Sequence, residues 1–361
     1  MKITFVMPIV SRNGGCRVVA IYARKLLALG HDVTVVARVP RPVAPLRATI
    51  RRLRGRKVAR SDADHDRFFR DLGARFVEID RAGPLLPEDV PDADVIIATW
   101  WRTAFEVASM PRSKGQKAYF VQGHEVHSHL PWDLSGGSYH LPLKKITISS
   151  HLRETLAETY GDRDVAVVEN SVDTDHFDAR ARARNAHPTV GFLFADNPLK
   201  GTDQALKVLA LLQERLPDLH AVSFGKVRPG ADRALPPAFR FQQLPRQEDI
   251  PGLYAACDVW FCASRSEGFH LPLLEAMACR TPVVTTRIGG AVEAVSEGVT
   301  GHIVDIDDTA AMVDRLEAVL TGPAEDWQAM SDAAYERAHR YSWDDAARAF
   351  EDALKQLIAA P

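Results

Sequence analysis

What this chain of 361 residues lacks narrows it first. Its four cysteines, Cys16, Cys257, Cys262 and Cys279, include no C-x-x-C pair and no zinc-ligand spacing, so reduced thiols are the simplest reading. No stretch approaches the ~18 apolar residues that a membrane-spanning helix needs. Met1-Lys2 runs directly into Ile3-Thr4-Phe5-Val6-Met7, too short for a signal h-region, and no small-residue cleavage site follows it. The net charge of −2 gives no global reason to expect a nucleic-acid partner. The expectation is a cytoplasmic protein, peripheral on the inner face of the membrane at most. The turn after the first apolar run, Asn13-Gly14-Gly15, is not the G-x-G-x-x-G dinucleotide fingerprint.

What is present is an ordinary globular composition, 46% hydrophobic and 25% charged, on a chain long enough for two domains. Ile3 to Val10 reads as a strand buried on both faces, Val18 to Leu29 as a helix ending at Gly30, and Val33 to Ala37 as a second strand. Strand–helix–strand in so few residues is a βαβ unit and predicts a parallel sheet. Further strands are expected at Arg75 to Ile79, Asp94 to Thr99, Lys117 to Gln122 and Lys145 to Ser150, the last closing this sheet. Thr189 to Phe194 starts a second sheet, and the arginine-rich Ala179 to Pro188 before it has the composition of a linker.

The most informative run is Ser266-Glu267-Gly268-Phe269-His270-Leu271-Pro272-Leu273-Leu274-Glu275-Ala276-Met277-Ala278-Cys279-Arg280-Thr281-Pro282-Val283-Val284. A glycine-containing turn enters a short helix with Pro272 in its first turn, and Leu274, Met277 and Ala278 lie on one helical face. The free N–H groups at such a helix start suit an anion such as a diphosphate. Glu275, inside the helix, is placed to accept from hydroxyl donors such as those of a ribose. Spacing alone leaves open the alternative of a solvated helix with two surface glutamates.

The run resembles the Glu-x7-Glu signature of retaining, GT-B-fold glycosyltransferases of the GT4 family, the glycosyl transferases group 1. It departs from the family pattern at His270 and Arg280, where glycine is usual. The resemblance is strong from about residue 165 to 305. It implies two Rossmann-like α/β domains with parallel sheets facing across a cleft: residues 1–170 joined by a crossover helix over 342–361, and a nucleotide-sugar donor domain over 171–341. It further implies a metal-independent hexosyltransferase that needs no cofactor beyond its nucleotide-sugar co-substrate. The acceptor would be a glycan, a glycolipid or a small molecule, in surface polysaccharide or glycoconjugate synthesis. A sugar phosphorylase or synthase on the same fold is the alternative enzyme, and a two-domain sugar-binding protein a remote one.

Asn197-Pro198-Leu199-Lys200-Gly201 resembles the loop whose lysine supplies charge to the leaving diphosphate. Glu267 is carried over as a donor-sugar contact, Glu275 as the ribose ligand, and His124 as the residue that orients the sugar. Gly268, Phe269, His270 and Leu271 would line the diphosphate, and Gln243 and Leu244 the base. Gly14 and Gly15 are candidate diphosphate or acceptor contacts. Many relatives carry an arginine six residues before the lysine, where this chain has Phe194; Lys226, Arg17 and Arg102 are candidates for the missing cation. No residue marks itself as a nucleophile.

Two further clusters have bland and sharp readings. Arg41, Arg47, Arg51, Arg52, Arg54, Arg56, Lys57 and Arg60 crowd residues 41–60. Such runs are usually solvated faces, and the sharper reading is contact with an anionic membrane surface or a diphospho-lipid. His124, His127 and His129 invite a zinc reading, but their spacing is wrong for one helix face and no cysteine is near, so no metal is expected.

Overall fold

The computed structural model describes residues 1–10, 14–38, 72–81, 83–127, 130–231 and 233–359. The basic stretch 41–60, Asn13 and His129 lie outside these. The chain divides into two compact units: residues 1–147, 155–168 and 347–361 form one, and residues 148–154 and 169–346 the other.

The first unit is built on seven parallel strands in the order β3-β2-β1-β4-β5-β6-β7. They are β1 (Lys2–Met7), β2 (Asp32–Arg38), β3 (Arg75–Ile79), β4 (Val95–Ala98), β5 (Gln116–Val121), β6 (Lys144–Thr147) and β7 (Val165–Val167). Five of the six β1 residues and all four of β4 are buried, as strands covered by helices on both faces must be. The helix Gly14–Ala28 buries Val18, Val19, Tyr22, Ala23 and Leu26, one apolar stripe. It ends where Gly30 takes φ +86° and the His31 and Gly30 amides turn back to the Leu26 and Leu27 carbonyls. The last helix, Trp343–Ala359, delivers residues 347–361 to this unit. There the Phe350 ring lies 4.6 Å from that of Tyr22 and 5.1 Å from that of Phe120, so the end of the chain completes a core begun by its first strand.

The second unit carries six parallel strands in the order β10-β9-β8-β11-β12-β13. They are β8 (Thr189–Leu193), β9 (His220–Gly225), β10 (Ala238–Gln243), β11 (Val259–Cys262), β12 (Val283–Thr286) and β13 (Gly301–Val304). Counted within the unit this is the 3-2-1-4-5-6 order of a doubly wound nucleotide-binding sheet, with its switch point between β8 and β11. One face packs Phe192, Phe194, Phe261 and Val284 against Val208, Leu212, Met312, Leu316 and Trp327 of the covering helices. On the other, the Trp260 ring sits 4.6 Å from Tyr254 and 5.6 Å from Phe224.

Three expectations need correction. The first sheet does not close on β6: β7 pairs beyond it in parallel, Lys145 opposite Val165, so the segment leading out of the first unit begins as an edge strand. The arginine-rich 179–188 is not a loose tether. Arg182 donates to the Cys257 carbonyl and stacks 4.9 Å above Trp327, while Arg184 donates to the Val319 and Leu320 carbonyls. Arginine in a polar segment can serve as a clamp on helix-end carbonyls, and composition does not distinguish that from solvation. Finally, residues 148–154 group with the second unit rather than the first. The Ser150 amide and hydroxyl both donate to the Glu293 carboxylate there.

Candidate functional site

Ligands of open α/β sheets bind beyond the carboxyl ends of the strands at the switch point, and in the second unit those ends are β8 and β11. The chain leaving β8 forms a short turn, Pro198–Lys200, capped by Asn197, whose side chain accepts from the Leu199 amide. Gly201 then takes φ +66° and starts the helix Thr202–Arg215. A Cβ at 201 would lie 1.8 Å from the Ala263 carbonyl oxygen, so only glycine lets this loop rest on the chain leaving β11. The Arg265 amide donates to the Leu199 carbonyl at 2.8 Å and fixes that contact.

This packing brings Lys200 and Glu267 together across 67 residues of sequence. Lys200 Nζ lies 2.8 Å from each carboxylate oxygen of Glu267, and Ser264 Oγ donates to Oε1 at 2.9 Å. His270 Nδ1 approaches the same Oε1 at 2.9 Å, an ion-pair contact rather than an aligned hydrogen bond. Burial alone would push the Glu267 carboxyl up; the His270 and Lys200 cations overcome that and hold it at about 2. Burial alone would lower His270; Cys262 and Glu267 raise it to about 10. The Cys262 thiol, which burial alone would raise, is drawn below its ordinary value by His270.

The helix Leu271–Ala278 leaves this cluster with Pro272 in its first turn. His270 has φ +74° and Arg280, just past the helix end, has φ +58°. The two departures from family glycine are therefore both left-handed residues, where a side chain costs about 1–2 kcal/mol. Arg280 uses its side chain on the Ala179 carbonyl, on Asp332 and 3.9 Å over the Tyr335 ring. Phe269 is buried with its ring over Gly290, so it can offer a ligand only its backbone. Glu275 is 8% exposed and accepts from the Tyr254 hydroxyl at 2.8 Å.

At the neighbouring strand ends, Gln243 Nε2 donates to the Lys226 carbonyl at 3.1 Å, and the Leu244 amide donates to the Gly225 carbonyl. Leu244 combines φ +47° with 64% exposure, an apolar side chain held outward by a strained backbone. The Lys226 side chain is exposed. Phe194 is a core residue, its ring packed on Phe241, with the Arg233 guanidinium 5.5 Å from its centroid. Sequence reading did not single out Arg233, Ser264, Cys262 or Tyr254. The only signal for Ser264 and Cys262 was their place at the end of β11, just before the motif.

The other candidates lie in the first unit. Gly14 and Gly15 open the helix after β1, and among the described residues beyond its own helix nothing lies within 4 Å of where a Gly14 Cβ would stand. His124 follows β5; its Nε2 is 2.7 Å from the Tyr160 hydroxyl and its ring stacks on Tyr139. Beside it Glu125, not singled out from sequence, accepts from the Trp101 amide, and burial raises its carboxyl to about 8. Among the described residues no group of His, Cys, Asp and Glu is arranged to hold a metal ion. No described helix is long and apolar enough to cross a membrane.

Residues 173–337 match the family model of glycosyl transferases group 1. The D-inositol 3-phosphate glycosyltransferase of Corynebacterium urealyticum is 35% identical over 188 residues, 48% of this chain and 44% of that one. The GDP-mannose-dependent alpha-(1-6)-phosphatidylinositol monomannoside mannosyltransferase of Mycolicibacterium smegmatis is 33% identical over 202 residues, 49% of this chain and 52% of that one. The chain thus spans about half the length of the curated relatives it matches. Over full length it superposes on sucrose-phosphate synthase from Thermosynechococcus elongatus with a TM-score of 0.76 at 17% identity, covering 100% of both chains. The Anabaena protein HepE, solved with UDP and glucose, gives 0.74 at 16% identity, covering 99% of this chain and 100% of that one. The chain has the GT-B fold. Its matched segment lies within the second unit, the one that holds Lys200 and Glu267.

Proposed function

We propose that this chain is a retaining, metal-independent glycosyltransferase of the GT4 type that moves a sugar from a nucleoside-diphosphate sugar to an acceptor hydroxyl. The observation that carries this reading is the lysine–glutamate–histidine cluster at the switch point of the second sheet, beneath the start of a helix. As the bond between the anomeric carbon and the diphosphate breaks, negative charge grows on the leaving phosphate. Lys200 and the helix start offer it a preorganised positive environment. The acceptor oxygen forms the new bond to the same carbon, and its proton leaves with the departing diphosphate or with solvent.

In this reading Glu275 takes the ribose hydroxyls in exchange for part of its bond to Tyr254. Leu244 and the strand ends around Gln243 and Lys226 take the base, and His124 orients the sugar. The relatives named for phosphoinositol acceptors and the basic stretch 41–60 favour a phosphate-bearing or lipid-linked acceptor, met at the inner face of the membrane during glycoconjugate synthesis.

The test is thermal stability with UDP, GDP, ADP, TDP and CDP, with and without Mg²⁺, for the wild type, Lys200→Ala and Glu275→Ala. One diphosphate should raise the melting temperature without metal, by the equivalent of about 2.7 kcal/mol at 100 times its Kd. Both variants should lose that rise, and NMR of the product should show the donor's anomeric configuration retained. No response to any of the five, or an inverted product, sinks the reading.

A further inference from the structure

His270 occupies a left-handed position that glycine would occupy without strain, yet its side chain does not reach outward toward a ligand. It is 3% exposed and points into the unit. With Lys200, Cys262, Ser264, Phe192 and Trp260 it lines a cavity of about 10 Å³, room for about one water molecule. Neither ring nitrogen has an aligned hydrogen-bond partner. An imidazole in that position is costly unless a charge holds it, and the charge present is Glu267 at 2.9 Å.

Glu267 therefore stands between two cations. Lys200, 31% exposed, comes from the open side, and His270 from the core side. With Lys200 alone, the buried carboxylate would form a closed one-to-one pair, and the ammonium would be spent on it. With a second cation behind it, Glu267 keeps a counter-charge when Lys200 departs.

Resting on the donor-site reading above, we propose that His270 is a positioning residue that holds Glu267 from the core side, so that Lys200 can pass from Glu267 to the diphosphate of an incoming nucleotide-sugar. The proton state this needs agrees with the surroundings. The titratable groups facing the ring are Glu267 from the turn and Cys262 from β11, with Lys200 beyond Glu267, and Cys262 and Glu267 together favour the protonated imidazole.

The test uses His270→Gly and His270→Asn, both of which keep the left-handed backbone at this position. With the diphosphate that stabilises the wild type as probe, both variants should bind about tenfold more weakly, and the loss should vanish in a Glu267→Gln background. Unchanged affinity in both variants, or a loss that persists beside Glu267→Gln, overturns the proposal. So does a change in melting temperature with affinity intact, which marks a purely structural role.

A ligand-free arm separates this from failure of the donor-site reading. In ¹⁵N-histidine NMR, His270 should give an imidazolium signal at pH 7 that persists toward pH 10, and Glu267→Gln should lower its titration. A neutral ring at pH 7, or a titration indifferent to Glu267→Gln, overturns the proposal whichever nucleotide binds. If the imidazolium is seen and none of the five diphosphates binds, the hand-over to a diphosphate is overturned and the ion chain alone stands.

Discussion

Lys200, Glu267 and His270 in the second unit and His124, Tyr160 and Glu125 in the first solve the same problem, holding a polar side chain still at a strand end, with opposite means. In the second unit the grip is ionic. One carboxylate is shared by an ammonium, an imidazolium and a hydroxyl, and a loop locked on β11 supplies the lysine. In the first unit the grip is neutral. His124 is held by a phenol and an aromatic stack, and Glu125 sits on a backbone amide and is kept protonated by burial. The ionic arrangement needs residues in a fixed spacing around a turn, and such spacing leaves a motif in the sequence. The aromatic arrangement needs only volume and one hydroxyl, drawn from Tyr139 and Tyr160 well downstream, and leaves no motif.

The most rigid point of the ionic site is Gly201. Gly201→Ala puts a methyl group against the Ala263 carbonyl and forces a non-glycine residue to φ +66°. We expect a loss of about 3 kcal/mol or more in chemical denaturation. A loss under about 1 kcal/mol would show that the loop is not locked on β11. Tyr254→Phe removes the hydroxyl that satisfies the buried Glu275 carboxylate and should cost about 2 kcal/mol. It should also change nucleotide affinity, which a purely packing role would leave alone.

A smaller effect is expected from Tyr160→Phe in the neutral cluster. It removes the hydroxyl 2.7 Å from His124 Nε2 and should lower turnover about tenfold, with nucleotide-induced stabilisation unchanged. A matching loss in nucleotide binding would erase the division between the two sites.

The pH profiles should separate them as well. His270 has a folded value near 10 against an ordinary 6.5. Its contribution is complete below 6.5 and is lost as pH rises through 10. Glu267, near 2 against 4.5, contributes above 4.5 and is lost as pH falls through 2. Glu125 behaves otherwise. Raised from 4.5 to about 8, it binds a proton in the folded chain that the unfolded chain has released, so stability declines between those values. Melting curves from pH 4.5 to 8 for Glu125→Gln should lack that decline. Identical slopes for variant and wild type would leave Glu125 as an ordinary surface carboxylate.

Much of the fold was legible because parallel strands buried on both faces must be continuous apolar runs, and Ile3 to Met7, Val95 to Ala98 and Val283-Val284 are such runs. β7 was missed as a strand of the first sheet because nothing in its short apolar run, one residue buried and two half-buried at the edge, says which sheet it joins. The 179–188 clamp was missed because an arginine's partners here are backbone carbonyls, which every sequence possesses.

The βαβ alternation, the turn-and-helix of the Glu-x7-Glu run and the lysine loop before a helix could all be read along the chain, since each depends on sequence neighbours. Tertiary structure decided that Lys200 grips Glu267 rather than solvent, that the histidine in the glycine position turns inward to share that carboxylate, and that Tyr254 claims Glu275. Those pairings depend on which strands lie side by side at the switch point. That order follows from covering the central strands of the sheet on both faces through right-handed crossovers, a condition no local stretch of residues contains.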